Sequence, residues 1–311
     1  MDKPYTTYEE QVELLKKKGL IINDEAEAIM LLKKCSYYGL ISGYKKPFKS
    51  SDKCTYKPHT TIQDIHALYI YDMELRELFL KYILIIENHV KSLISYSFCQ
   101  TYGALESDYL NANNYNYIST KQEAINKLIT KLSTAMCDYD SHPYLQHQRD
   151  NHGNIPLWVL TRVITIGMIS KMYSLLKPQV QTLISKEFEY VTEGALANMI
   201  DLLSRFRNVC AHNERLYDYK YHTGAIPTTD VHRQMGLNDA KKKLGKKDLF
   251  AVVIVFKYLL PAEDFEGFLV KFDDLTKGLL NKTKMIQEAQ ILKLMGFPAN
   301  WREIKGCEKK L

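Results

Sequence analysis

The run IQDIHALYIYDMELRELFLKYILIIENHVKSLISYSFCQTY, from Ile62 to Tyr102, decides the fold class. It holds neither proline nor glycine, and at about 100° per residue Phe79, Ile83, Ile86, Val90, Leu93, Ile94 and Ser97 share one face. That is the period of an amphipathic helix, and the spacing predicts a single long helix that serves as the spine of the fold. On its N-terminal side, residues 43–60 hold Gly43, Pro47 and Pro58 and read as a loop. Before the loop, helices are expected over Thr7–Lys18 and Asp24–Tyr38, the first opened by a capping box of Thr7 and Glu10 and stopped at Gly19. On the C-terminal side come a connection over 103–119, a helix over 121–136, and a polar, His-rich loop to Pro156. Helices follow over 157–176, 179–187 and 193–212. The polar segment 218–247 is too long for an ordinary connector. Phe250–Leu260 is rich in β-branched residues but has no partner strand, so it reads as helix, followed by a helical pair over 263–295. The chain is therefore expected to be all-α, with a helical arm over 1–55 and a helical domain over 56–311 that carries an insert at 218–247.

Composition narrows the function. A hydrophobic share of 46% over 311 residues supports a full core and excludes disordered and fibrous classes. No stretch of about 18 apolar residues occurs, and the start is polar, which predicts a cytoplasmic chain, neither membrane-inserted nor secreted. The six cysteines lie at least 19 residues apart, which excludes C-x-x-C knuckles and suits reduced thiols. No Walker, dinucleotide-binding, zinc-protease or G-x-S-x-G motif is present. His142, His147 and His152 read as surface histidines, so neither metal nor cofactor is expected. The net charge of +6 is compatible with a polyanionic partner.

The residues that could carry chemistry lie in ALANMIDLLSRFRNVCAH, Ala195 to His212. On a helical wheel Arg207 falls about 20° from Leu196, inside the stripe of Met199, Ile200, Leu203, Phe206 and Cys210. A guanidinium there needs a carboxylate, a phosphate or a wet cleft, because an uncompensated buried charge costs several kcal/mol. His212 adds a proton-transfer group, but it lies about 140° further round the helix. Either the helix ends near His212, or a second subunit completes the site across a two-fold axis. Glu87, at the edge of the long helix's apolar face, is a plausible counter-charge for Arg207. Lys241, Lys242, Lys243, Lys246 and Lys247 put five cations into seven positions and form a candidate RNA surface, with Tyr217, Tyr219 and Tyr221 nearby as possible base-stacking groups.

The block Arg207-Asn208-Val-Cys-Ala-His212-Asn-Glu-Arg215 resembles the R-N-x-x-x-H signature of HEPN ribonuclease domains. Nearly the whole chain resembles the abortive-infection family of bacterial phage-defence proteins, of the AbiD and AbiF type. The landmarks are Lys3-Pro4, Glu10-Gln11, Leu14-Leu15 before Gly19, Tyr37-Tyr38 to Gly43-Tyr44, Asp64-Ile65, Leu68-Tyr69, Asp72, Leu75-Arg76, Glu87, Pro156 to Val159, Gly167, and Met295 to Pro298 with Trp301. The resemblance implies a HEPN-like helical bundle that dimerises through its motif-bearing helices and cuts RNA without metal. By the same likeness His212 would be general acid or base, Arg207 would hold the scissile phosphate and Asn208 would orient a partner group, with Glu87 and Arg215 in support. A small non-coding RNA would restrain the toxin. The rival readings are a non-catalytic HEPN RNA-binding or scaffold protein, and a toxin partner modified with a nucleotide on Tyr217 or Tyr219.

Overall fold

A computed structural model describes residues 5–237 and 244–309, so the Lys3-Pro4 landmark lies outside it. The chain is all-α: no strand occurs among the described residues, only isolated bridges such as that between Ile21 and Thr61. Helix α1, Tyr8–Lys17, carries the expected capping box, and Gly19, at φ +82°, takes the left-handed turn that stops it. Helix α2, Glu25–Cys35, ends three residues short of the expected Tyr38, because Ser36 adopts a φ of +59° and Tyr38–Ser42 then wind as a π-helical turn.

The long helix is α3, Ile62–Tyr102, 41 residues with a capping box of Thr61 and Asp64. The expected connection after it contains the short α4, Glu106–Tyr109, and leads to α5, Gln122–Met136. The His-rich stretch is a helix, contrary to expectation: α6, Pro143–His152, has proline in its first turn and left-handed Gly153 just past its end, both helix boundary signals. The single helix expected over 157–176 is two, α7, Leu157–Val163, and α8, Ile166–Leu175. Extended Ile164 and Thr165 separate them, and the Thr165 hydroxyl accepts the Met168 N–H at 3.3 Å. Then follow α9, Pro178–Ser185, and α10, Glu193–Ala211. The polar segment holds α11, Asp230–Gln234, and the chain closes with α12, Leu249–Leu259, α13, Ala262–Lys282, and α14, Glu288–Met295.

Helix α3 runs through the centre, with α13 packed along one side and α7, α9 and α10 along others. Every residue of α12 but Lys257 is buried, which explains a composition that imitates a strand: a helix apolar all round belongs inside. Where α3, α12 and α13 meet, Phe79 packs edge-on to Phe268 and Phe272 at 5.1 and 6.3 Å and tilted against Phe256 at 5.7 Å. The expected 1–55 arm is stitched to the body. Ile21 N–H donates to the Thr60 carbonyl at 2.9 Å, Tyr56 N–H to that of Lys18 at 2.9 Å, and the Tyr44 hydroxyl to Asp72 of α3 at 2.8 Å. Both parts contribute to one continuous core.

Candidate functional site

The site forms where α10 ends against the middle of α3. Helix α10 stops at Ala211 with His212 as C-cap, and Asn213 takes the left-handed conformation at φ +57°. Glu214 N–H reaches back to the Val209 carbonyl at 3.1 Å, a Schellman closure with asparagine in the place glycine usually fills. The helix thus ends at His212, one of the two alternatives read from its spacing, but the His212 N–H still donates to the Asn208 carbonyl at 2.9 Å, so the residue continues the last turn and the chain turns only after it. Asn208 and His212 are exposed, and neither side chain makes a hydrogen bond or ion pair. Between them Cys210 is buried, and burial pushes its thiol up to about 12, which leaves it inert as a nucleophile.

Arg207 is partly buried against α3. Its Nε lies 3.7 Å from Glu87 Oε2, so the expected pairing forms, but at that distance neither atom has a hydrogen bond although both are buried. The other carboxylate oxygen of Glu87 takes Lys91 Nζ at 2.8 Å, with both side chains almost fully enclosed. Lys91 was not singled out from the sequence: a lysine four residues after a glutamate on a helix has the pattern of an ordinary surface pair. Two cations therefore converge on one carboxylate, leaving one positive charge uncompensated, while Asn208 and His212 lie on the outward side of α10.

The turn after His212 is fixed by a second buried network. Asp72, fully enclosed, accepts Leu216 and Tyr217 N–H at 3.1 and 2.7 Å, the Tyr44 hydroxyl, and Arg76 Nη1 at 2.7 Å. Arg76 in turn donates to the Asn213 side chain at 2.6 Å and the Glu214 carbonyl at 3.2 Å. Burial pushes the Asp72 carboxyl up, and these donors oppose that by favouring its charged form. Arg215 does not meet Arg207. It donates to Asp218 at 2.6 Å and to the Gly43 carbonyl at 2.8 Å, tying the turn to the N-terminal segment. Between them opens a cavity of about 610 Å³, lined among others by Tyr38, Gly39, Tyr69, Asn213, Glu214 and Lys220.

Lys241, Lys242 and Lys243 lie outside the described residues. Lys246 is half-buried, its ammonium donates to the Thr228 hydroxyl at 2.7 Å, and burial lowers its pKa to about 8. The Lys247 carbonyl accepts Tyr221 N–H at 2.7 Å. Of the nearby tyrosines, Tyr217 is fully buried and stacked on Tyr44, and Tyr221 is buried with its hydroxyl on Asp201. Neither presents a ring to a base or a hydroxyl for modification. Tyr219, half-buried edge-on to Phe206, is the most open of the three. Among the described residues no three His, Cys, Asp or Glu side chains are grouped to hold a metal ion, and no helix is long and apolar enough to cross a membrane.

The model of a family described as Abi-like protein matches residues 30–218, well over half of the chain. The match takes in the Asp72 network, the Glu87 cluster and the whole Arg207–Arg215 block, and ends where the polar segment begins. No curated protein and no solved structure matches.

Proposed function

Because the chain belongs to the Abi-like family, we propose that it is a metal-independent HEPN-type endoribonuclease of abortive-infection phage defence, a toxin that works as a homodimer. The observation that carries this reading is the Glu87–Lys91–Arg207 cluster: two cations on one carboxylate, with part of the Arg207 side chain still open to solvent. Such a cluster carries one positive charge beyond its carboxylate, and a phosphodiester oxygen that meets the exposed part of the guanidinium supplies the charge and the acceptor together.

In this reading Arg207 holds the scissile phosphate and stabilises charge growing on its oxygens. The ribose 2′-OH attacks the adjacent phosphorus and the bond to the 5′-oxygen breaks, giving a 2′,3′-cyclic phosphate and a free 5′-hydroxyl. His212, exposed at the helix end, takes the 2′ proton or returns one to the leaving oxygen. Paired across a two-fold axis, the two histidines divide those tasks. Asn208, one helical turn before His212, orients the substrate by hydrogen bonding. A small non-coding RNA bound at the same site would restrain the toxin until infection.

The test is incubation of purified protein with mixed RNA in EDTA. The expected result is cleavage to products ending in cyclic phosphate, abolished by His212→Ala with RNA affinity kept. If His212→Ala protein cleaves as the wild type does, the reading is wrong. RNA bound without cleavage by either protein would leave the non-catalytic RNA-binding function.

A further inference from the structure

The cavity beside the motif does not end at Lys220. A second hollow of about 370 Å³, lined by Lys46, Pro47, Gln290, Lys293 and Leu294, shares Asp218 and Lys220 with it. Each volume falls in the range of roughly 300–1,000 Å³ that holds a small ligand. Together they make a groove that starts at Asn213 and Glu214, the two residues after His212, and runs over the N-terminal segment to α14.

The charges along it are unbalanced. Of its two carboxylates, Asp218 is already taken by Arg215, whose other contact, to the Gly43 carbonyl, braces the wall, and exposed Glu214 stands alone against three lysines. Lys46, Lys220 and Lys293 are exposed, and none makes an ion pair or side-chain hydrogen bond. At the motif end stands Tyr38, 83% exposed, raised on the π-helical turn that follows the left-handed Ser36. π-helical turns are rare and recur at functional sites. An open ring followed by a row of unpaired ammonium groups is the arrangement that holds a single nucleic-acid strand: base on ring, phosphates on lysines.

We propose that this groove, from Tyr38 through Lys220 to Lys46 and Lys293, binds the stretch of single-stranded RNA flanking the phosphate at Arg207. This rests on the ribonuclease reading for the nature of the ligand. Neither Lys246 nor Lys247 lines it, though Tyr221, next to Lys220, donates its N–H to the Lys247 carbonyl.

The test is fluorescence anisotropy of a labelled, mixed-sequence single-stranded RNA on the full chain carrying His212→Ala. Lys46→Ala, Lys220→Ala and Lys293→Ala together are expected to weaken binding by about tenfold or more and to lower the slope of log K against log salt by about 2. A matched control removes Lys131, Lys171 and Lys186, exposed on α5, α8 and the end of α9, and should bind as the parent does. Tyr38→Ala is expected to cost about tenfold with the slope unchanged. The groove is refuted if the triple variant binds as the control does, or if polyglutamate displaces RNA at equal charge, which would mark a surface for acidic protein. Loss of binding in the groove variants with no cleavage by the wild type would sink the nuclease and keep the groove. Cleavage by the wild type with normal binding in the groove variants would do the reverse.

Discussion

Glu87 and Arg207 differ in what their loss should do, although they face each other. Glu87 is enclosed and is the one anion among the described residues paired with Lys91 and Arg207, while the Arg207 side chain keeps 30% of its surface in water. Replacing Glu87 with Gln strands a buried ammonium, which should cost about 3–5 kcal/mol in urea denaturation and remove cleavage with it. Arg207→Gln should cost about 1 kcal/mol or less, because a partly solvated charge at 3.7 Å from its partner contributes little, yet should abolish cleavage. If both variants lose stability equally, Arg207 is a structural cation and not a phosphate ligand. This pair was legible in the sequence because a guanidinium inside an apolar stripe and a carboxylate at the edge of another are each anomalous on a wheel. Lys91 was not, since i,i+4 charge pairs look alike on buried and open faces. Nor was the Asp72–Arg76 network, whose partners Leu216 and Asn213 lie more than a hundred residues away.

Elements were legible where one period ran without interruption, as in α3, and misread where polarity stood in for structure. Polar α6 passed for a loop, although Pro143 and Gly153 mark its two ends. The entry to α12 was opaque because contacts to the Gly245 backbone organise it. Gly245 N–H donates to Asp248 at 3.1 Å, and its carbonyl accepts Nε2–H of buried His232 at 2.9 Å, while Nδ1 of that ring accepts Thr229 N–H at 3.1 Å. Burial lowers the pKa of His232 to about 4 and raises that of Asp248 to about 6. The signs oppose. As pH falls from 6.5 to 4 the unfolded histidine is protonated first, which removes stability. Over about 6 to 3.8 the folded Asp248 is protonated first, which adds it. The wild type should therefore show little net change from this pair. Asp248→Asn keeps an oxygen for the α12 cap but loses the compensation, so its stability should drop by about 2 kcal/mol between pH 7 and 5. Urea midpoints at the two pH values measure it, and a variant as flat as the wild type would mean that His232 does not stay neutral when folded.

At the scale of the molecule, the all-α class and the family were legible because apolar periodicity and the order of short motifs survive without knowledge of contacts. The proposed seam between protomers was not, because nothing in one chain's pattern marks which polar face would meet a copy of itself. The outward ridge of α10 runs through Gly194, Asn198, Arg205, Asn208 and His212, and none of these is an aromatic or aliphatic anchor of the kind that dominates tight interfaces. A dimer closed on this ridge would be weak, with a dissociation constant on the order of micromolar, and substrate or a restraining RNA would add the charge complementarity that the protein faces lack. Below that concentration the initial cleavage rate should rise with the square of protein concentration, and above it linearly. Sedimentation velocity over the same range should show the monomer giving way to dimer at the same midpoint. A rate strictly linear at every concentration, from a species that sediments as monomer, would mean that one Arg207 and one His212 suffice, and that the turn fixed by Asp72 and Arg76 brings them to the phosphate without a second copy.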